Sequence, residues 1–197
     1  MWGMALRSIV RICVFAVVVI PAVALARQRH TPAARRPPTD IFTAIERGDL
    51  ARVKAFLDAG VNINAVDGFG YSPVHTASSN HQDAILSYLI DKGADVNLPD
   101  GNSGATLLHY VADFNQLAAA KAALARGGSL AIEDRRGNQP LWTAVFNDKG
   151  RSERIDIVKL FIEHGADADH KNRFGKSPKD FVKLAHYDNL RAVMRMN

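Results

Sequence analysis

The sequence predicts an all-α repeat solenoid of about five helix–turn–helix units with β-turn fingers, preceded by an export leader. Three observations carry this fold class. A helix-closing glycine recurs at Gly60, Gly93, Gly127 and Gly165, at spacings of 33, 34 and 38 residues. A helix-start motif recurs in phase with it: Ser72-Pro73-Val74-His75, Thr106-Leu107-Leu108-His109, Gln139-Pro140-Leu141-Trp142 and Ser177-Pro178-Lys179-Asp180. A Gly-bearing turn precedes each start, at 67–70, 100–104, 134–137 and 172–175. Self-similarity at this period is the mark of stacked repeats.

The leader comes first in the chain. Residues 1–26 have the three parts of a secretory signal peptide. Arg7 and Arg11 supply the positive start, and Ile12 to Ala26 is a 15-residue stretch without charge. Its end offers two cleavage signatures, Ala22-Val23-Ala24 and Ala24-Leu25-Ala26, and the cut is expected after Ala26. The alternative is an uncleaved membrane anchor. The apolar run is short for a span of about 20 residues, and Pro21 interrupts it. Residues 27–38, RQRHTPAARRPP, read as a flexible, partly extended linker. The single cysteine, Cys13, lies in the leader, so the processed chain is expected to carry no thiol.

Charge excludes one class of partner. The net charge of +5 arises in residues 1–38, which hold six arginines and no acid. Residues 39–197 carry 19 basic and 20 acidic residues. A neutral body gains little from counterion release, so no nucleic-acid partner is expected.

The repeats follow from local chemistry. The Ser72 and Thr106 hydroxyls can cap a helix, and Pro73, Pro140 and Pro178 suit a first helical position. Gly60, Gly93 and Gly165 suit the left-handed residue that ends a helix. Second helices place apolar residues at helical spacing, as in Ile85, Leu86, Leu89 and Ile90, or Ile155, Val158, Phe161 and Ile162. One helix pair cannot hide such a face, so neighbours must stack. The units run at about 39–64, 65–97, 98–131, 132–169 and 170–197. The first lacks an entry turn and the last lacks a closing glycine, as terminal caps do. Three departures stand out. The second turn has one extra residue. The helix from Gln116 to Arg126 is mostly Ala and is expected to pack closely while burying less area. The fourth unit has an insertion at 147–153, expected to project away from the fingers.

These motifs resemble the ankyrin-repeat family over 39–197. The resemblance implies binding through finger tips and the concave face of the first helices. That register selects Val66, Phe69 and Tyr71 in the first finger, then Asn102 and Ser103 in the second. It selects Glu133, Arg135, Arg136 and Asn138 in the third, then Lys171, Arg173, Phe174 and Lys176 in the fourth. On the first helices it selects Ser79, Asn80, Asp113, Phe114, Phe146 and Asn147, with Phe114 and Phe146 equally readable as core. Aromatic and Arg side chains among these are the types that dominate interface energetics. Trp142 stands where the motif carries His and is expected to be buried. His75 and His109, by the same resemblance, are structural bridges to neighbouring backbone.

Catalysis finds no candidate constellation. No phosphate loop, HExxH, GxSxG or CxxC occurs. His164, Asp167, Asp169 and His170 form the nearest thing to a metal cluster, but both aspartates fall where the repeat's turn ordinarily carries Asp or Asn. The expectation is a non-enzyme without cofactor or metal, monomeric, in the periplasm or secreted, touching a membrane only if the leader is uncleaved. The stretch Gly137 to Asn147 also resembles bacterial ankyrin proteins that act as immunity partners of secreted toxins. The partner is then a toxin. The alternatives are a stabilising partner of an exported enzyme, for example in oxidative-stress defence, or a role as a secreted effector.

Overall fold

A computed structural model describes residues 40–148, 154–185 and 187–195. The leader, the linker and residues 149–153 of the fourth unit's insertion lie outside the described residues. The described elements are all helical: α1 Ile41–Glu46, α2 Leu50–Asp58, α3 Pro73–Ser79, α4 Asp83–Asp91, α5 Leu107–Asp113, α6 Leu117–Ala125, α7 Pro140–Asp148, α8 Ile155–Glu163, α9 Pro178–Ala185 and α10 Asp188–Val193. Each odd-numbered helix pairs with the even-numbered helix that follows it. Odd helices also pack on odd helices, and even on even, so the pairs stack in two layers.

Helix starts are fixed by side chains. The Asp40 carboxylate accepts from Thr43 N–H at 2.8 Å and starts α1. At α3 and α5 the fourth residue of the motif closes the cap. His75 Nδ1 accepts from Ser72 N–H at 3.2 Å, and His109 Nδ1 accepts from Thr106 N–H at 3.1 Å. At α9 the same position holds Asp180, whose carboxylate accepts from Ser177 N–H while Ser177 Oγ accepts from Asp180 N–H, both at 3.1 Å. These are reciprocal caps, which satisfy donors a helix end would leave orphaned.

Two turns punctuate each unit. The turn between units opens with a left-handed glycine at Gly60, Gly93, Gly127 and Gly165. The turn inside a unit also needs a left-handed residue. Gly48 supplies it in the first unit, but His81 (φ 53°) and Asn115 (φ 58°) supply it in the next two. This requirement was not evident from the sequence, because among the described residues only the first unit meets it with glycine.

Three kinds of link join neighbouring units. Finger joins finger: Gly101 N–H donates to Gly70 O at 2.9 Å, Arg135 N–H to Ser103 O at 2.7 Å, and Arg173 N–H to Arg136 O at 3.0 Å. Asparagine joins loop to loop: Asn64 Oδ1 accepts from Asp95 N–H at 2.8 Å, and Asn97 Oδ1 from Ser129 N–H at 2.7 Å. Ala131 holds the next such position, so that link stops there. The third link is a histidine, described below.

The core runs between the two layers. Ile45, Leu86, Leu89, Leu107, Leu108, Leu141, Val145, Val158, Phe161 and Leu190 are fully buried. Burying one such side chain contributes roughly 1.5–3 kcal/mol, and a lone helix pair could not cover this face by itself. The Ala-rich α6 buries only Ala120 and Ala123, and a shallow cleft of about 420 Å³ runs alongside it. Its small side chains leave that hollow unfilled.

The finger ladder leaves no room at Gly70. Its φ is +83°, and a Cβ there would lie 2.6 Å from Gly101 Cα. Gly60 has a similar φ of +88° but open space around it. Gly60→Ala therefore loses about 1–2 kcal/mol from backbone conformation alone. Gly70→Ala adds a backbone collision and loses about 2–4 kcal/mol in urea unfolding. Equal losses would mean that the ladder yields easily.

Candidate functional site

The first helices and the fingers enclose one long groove of about 900 Å³. α1 contributes Glu46, α3 contributes Thr76 and Ser79, α5 contributes His109, Tyr110 and Asp113, and α7 contributes Trp142, Thr143, Phe146 and Asn147. The four fingers contribute Phe69 and Tyr71, Ser103, Arg136, and Phe174 to its rim. A groove this size spans several repeats, so no single unit could make it.

His109 ties the groove's floor to its rim. Backbone N–H can only donate, so Nδ1 must be the unprotonated nitrogen. Nε2 then carries the proton and donates to Asn138 O at 3.0 Å in the next finger. His109 is thus a structural bridge across units. His75 makes the same cap, but its Nε2 closes no well-formed hydrogen bond among the described residues, although the Ala105 and Leu98 backbone lies near enough to favour its protonated form. The finger facing it has the extra residue: Asp100 N–H closes on Ala105 O, one residue further than Asp67 N–H on Tyr71 O or Asp134 N–H on Asn138 O. Burial holds both imidazoles below their ordinary pKa, against the pull of Asp100 on each and of Asp134 on His109.

Tyr110 is a floor residue that the sequence reading did not select. Its hydroxyl donates to Asp100 Oδ2 at 3.1 Å. Burial, then the Asp100 charge, push the phenol's pKa far up. Burial also opposes ionisation of Asp100, but hydrogen bonds from Ser103, Asn102 and Tyr110 prevail and hold its carboxyl below the usual range. The recurrent Asp at 67, 100 and 134 was a visible signal for the finger, not for the tyrosine it orients.

Aromatic rings cover the groove in two groups. Tyr110 lies 4.9 Å from His75 and 6.2 Å from Phe114, whose ring meets His81 edge-on at 5.2 Å. Trp142 and Phe146 pack on Phe181 of α9 at 5.8 and 5.4 Å. Phe114 is half-buried and Phe146 is 46% exposed, so each packs by one edge and faces the groove by the other. Trp142 was expected to be buried. It is only partly covered and lines the groove, because its indole cannot close the cap that His75 and His109 close and turns against Phe181 instead.

The residues selected from sequence divide into three sets. Phe69, Tyr71, Ser103, Phe114, Arg136, Phe146 and Phe174 line the groove, as do Ser79, Asn80, Asp113 and Asn147. Val66, Asn102, Glu133, Arg135, Lys171, Arg173 and Lys176 lie on the exposed outer rim, where Arg135 donates to Gly101 O at 2.6 Å. Asn138 touches the groove but is buried, and this corrects its reading as a surface contact. Its amide donates to Asp134 Oδ2 at 3.0 Å and accepts from Asn172 Nδ2 at 2.9 Å, so it fastens fingers together.

The histidine–aspartate run is divided among separate partners. His164 Nδ1 faces Leu160 O, His170 Nε2 faces Gly137 O and Glu133, and Asp169 pairs with Lys179. Among the described residues, no group of three or more His, Cys, Asp or Glu could hold a metal ion. No described helix is long and apolar enough to cross a membrane.

Acid should loosen this scaffold. His75 and His109 have depressed pKa values when folded, so the unfolded chain takes up protons first. Stability falls as pH drops through the unfolded value of about 6.5 and goes on falling to the lower folded values. The urea midpoint is expected to be lower at pH 5 than at pH 7.5. His109→Gln, weaker by about 1–3 kcal/mol at pH 7.5, should show a shallower acid loss. An unchanged pH slope in that variant would remove His109 as the cause.

Comparisons with known proteins match the same repeats. The family model for three ankyrin repeats matches residues 28–100, a many-copy ankyrin model matches 77–124, and the single-repeat model matches 136–173. A putative ankyrin repeat protein of Escherichia coli, YahD, is 28% identical over 194 residues, covering 80% of this chain and 94% of that protein. The mouse inhibitor of Bruton tyrosine kinase is 33% identical over 105 residues, but the chain spans only 8% of it. The phosphocholine transferase AnkX of Legionella pneumophila is 32% identical over 144 residues, 14% of its length. Ankyrin repeats indicate a protein–protein interaction module. With matched repeats, stacked pairs and their linking fingers all in register, the chain belongs to the ankyrin-repeat family.

Proposed function

We propose that this chain is a non-catalytic binding protein that works outside the cytoplasm and holds a protein partner in the concave groove. The observation that carries the reading is the groove itself, with aromatic side chains on its floor and rim. Phe69 is 79% exposed and Phe174 is 72% exposed, at opposite ends of the finger row. Exposed aromatic side chains that line one groove with a polar rim mark a surface for a protein partner. The fingers that hold them are fixed by backbone bonds, so docking orders little chain and loses little entropy.

The sequence of residues 1–26 supports export, with the mature chain in the periplasm or secreted. The segment that resembles toxin-immunity proteins, 137–147, supplies Asn138, Trp142, Thr143, Phe146 and Asn147 to the groove. This favours an immunity or inhibitor role, in which the groove covers a toxin's active site or its substrate path. The neutral body argues for a protein partner over a nucleic acid.

The test pairs the chain with the toxin candidate encoded beside it. Co-expression should rescue cells, and the purified proteins should form a complex. Phe69→Ala with Phe174→Ala should weaken that complex by about 2–4 kcal/mol while leaving the melting temperature nearly unchanged, since both rings are exposed. No rescue and no complex would end the immunity role. A host enzyme captured from the periplasm through the same two rings would replace it with a stabilising role.

A further inference from the structure

Charge along the rim is unevenly placed. The fingers at 66–71 and 100–105 carry Asp67 and Asp100 and no cation. The fingers at 133–138 and 171–176 carry Arg135, Arg136, Lys171, Arg173 and Lys176 against Glu133 and Asp134. Those two carboxylates are already engaged. Glu133 faces His170 at 3.2 Å, and Asp134 accepts from Arg136 N–H, Asn138 N–H and the Asn138 amide. Arg135 is engaged too, on Gly101 O. Arg136, Lys171, Arg173 and Lys176 are exposed and form no ion pair among the described residues. Asp180 feels the Lys171 and Lys176 charges. Hydrogen bonds from Ser177, with the Lys171 and Lys176 charges adding, hold its carboxyl low, yet it pairs with neither lysine.

The same fingers supply an apolar anchor and a rigid base. Phe174 lies between Arg173 and Lys176 in sequence and lines the groove together with Arg136. Arg173 N–H bonds to Arg136 O at 3.0 Å, and a Cβ on Gly137 would meet Arg173 Cγ at 2.9 Å. The two fingers are therefore locked side by side, and their cations project from a fixed edge.

We propose that the third and fourth fingers recognise an acidic segment of a protein partner, with its carboxylates on Arg136, Lys171, Arg173 and Lys176 and an apolar residue on Phe174. This names the partner chemistry of the groove and rests on the reading that the groove binds protein. Complementary charge of this kind fixes orientation and speeds encounter. The adjoining groove argues against a polyphosphate chain. Its lining carries Glu46, Asp67, Asp113 and Asp134 against Arg136 alone, so a nucleic acid running on from the fingers meets like charge. A protein segment can end its acidic run after a few residues. Entering the groove from the fingers, it meets carboxylates, which sets its direction.

The experiment selects random displayed peptides on the purified full chain at low salt. A parallel selection uses Arg136→Glu/Lys171→Glu/Arg173→Glu/Lys176→Glu, checked for an unchanged helical melt. Peptides from the parent chain are expected to be rich in Asp and Glu around an apolar residue. A synthetic copy should bind the variant at least about tenfold more weakly and lose affinity as salt rises. Peptides that depend on Phe69 but show no acidic excess would overturn the acidic-segment inference and leave protein binding standing. Equal binding to the charge-reversed variant would also overturn it. No selected peptide from either chain would sink both. A single-stranded oligonucleotide that binds the parent more tightly than the peptides would replace the protein segment with a nucleic acid.

Discussion

The structure depends on each unit passing its unsatisfied polar groups to the next. A helix pair of this size leaves helix-end donors and finger carbonyls exposed, and burying them unpaired would cost more than the apolar contact returns. The stack answers with three bonds from different parts of the unit. The finger ladder runs at the rim, the asparagines run through the loops, and His109 runs between floor and rim. Each bond joins neighbours, so the stack holds its register without any long-range closure.

That scheme also makes the groove. The His109 bridge fixes the third finger over α5, and the ladder fixes the second and fourth fingers beside it. The first helices then face a rim they cannot move away from, and the aromatic side chains between them stay partly uncovered. Places where the scheme lapses are informative. His75, which faces the enlarged finger, closes no well-formed outward bond, and Trp142 cannot make a cap at all. The Trp142 ring is spent on the groove and on Phe181 instead. At Trp142 the repeat gives up a structural bond and places an aromatic side chain in the groove.

Much of this was legible in the sequence because it is local or periodic. Helix starts follow from Ser, Thr and Pro at fixed offsets, and the closing glycines follow from their left-handed backbone. The repeat register also places Ser79, Asp113, Phe114, Phe146 and Asn147 on one face, and all five line the groove. What stayed hidden depends on which neighbour a side chain meets. Asn138 has the same polar character whether it faces a partner or fastens two fingers, and only the position of Asn172 decides. Tyr110 reads as one more helix residue until Asp100, on the preceding finger, holds its hydroxyl.

Spacing and backbone preference were enough to specify the repeat, its period, its helix starts and the class of surface it builds. Tertiary structure decided which side chains are bonds and which are contacts. That choice turns on a few ångströms between neighbouring units, as at His75 and His109. The two residues share a motif and a burial, yet the finger opposite each differs by one residue, and only His109 closes a well-formed bond on a carbonyl.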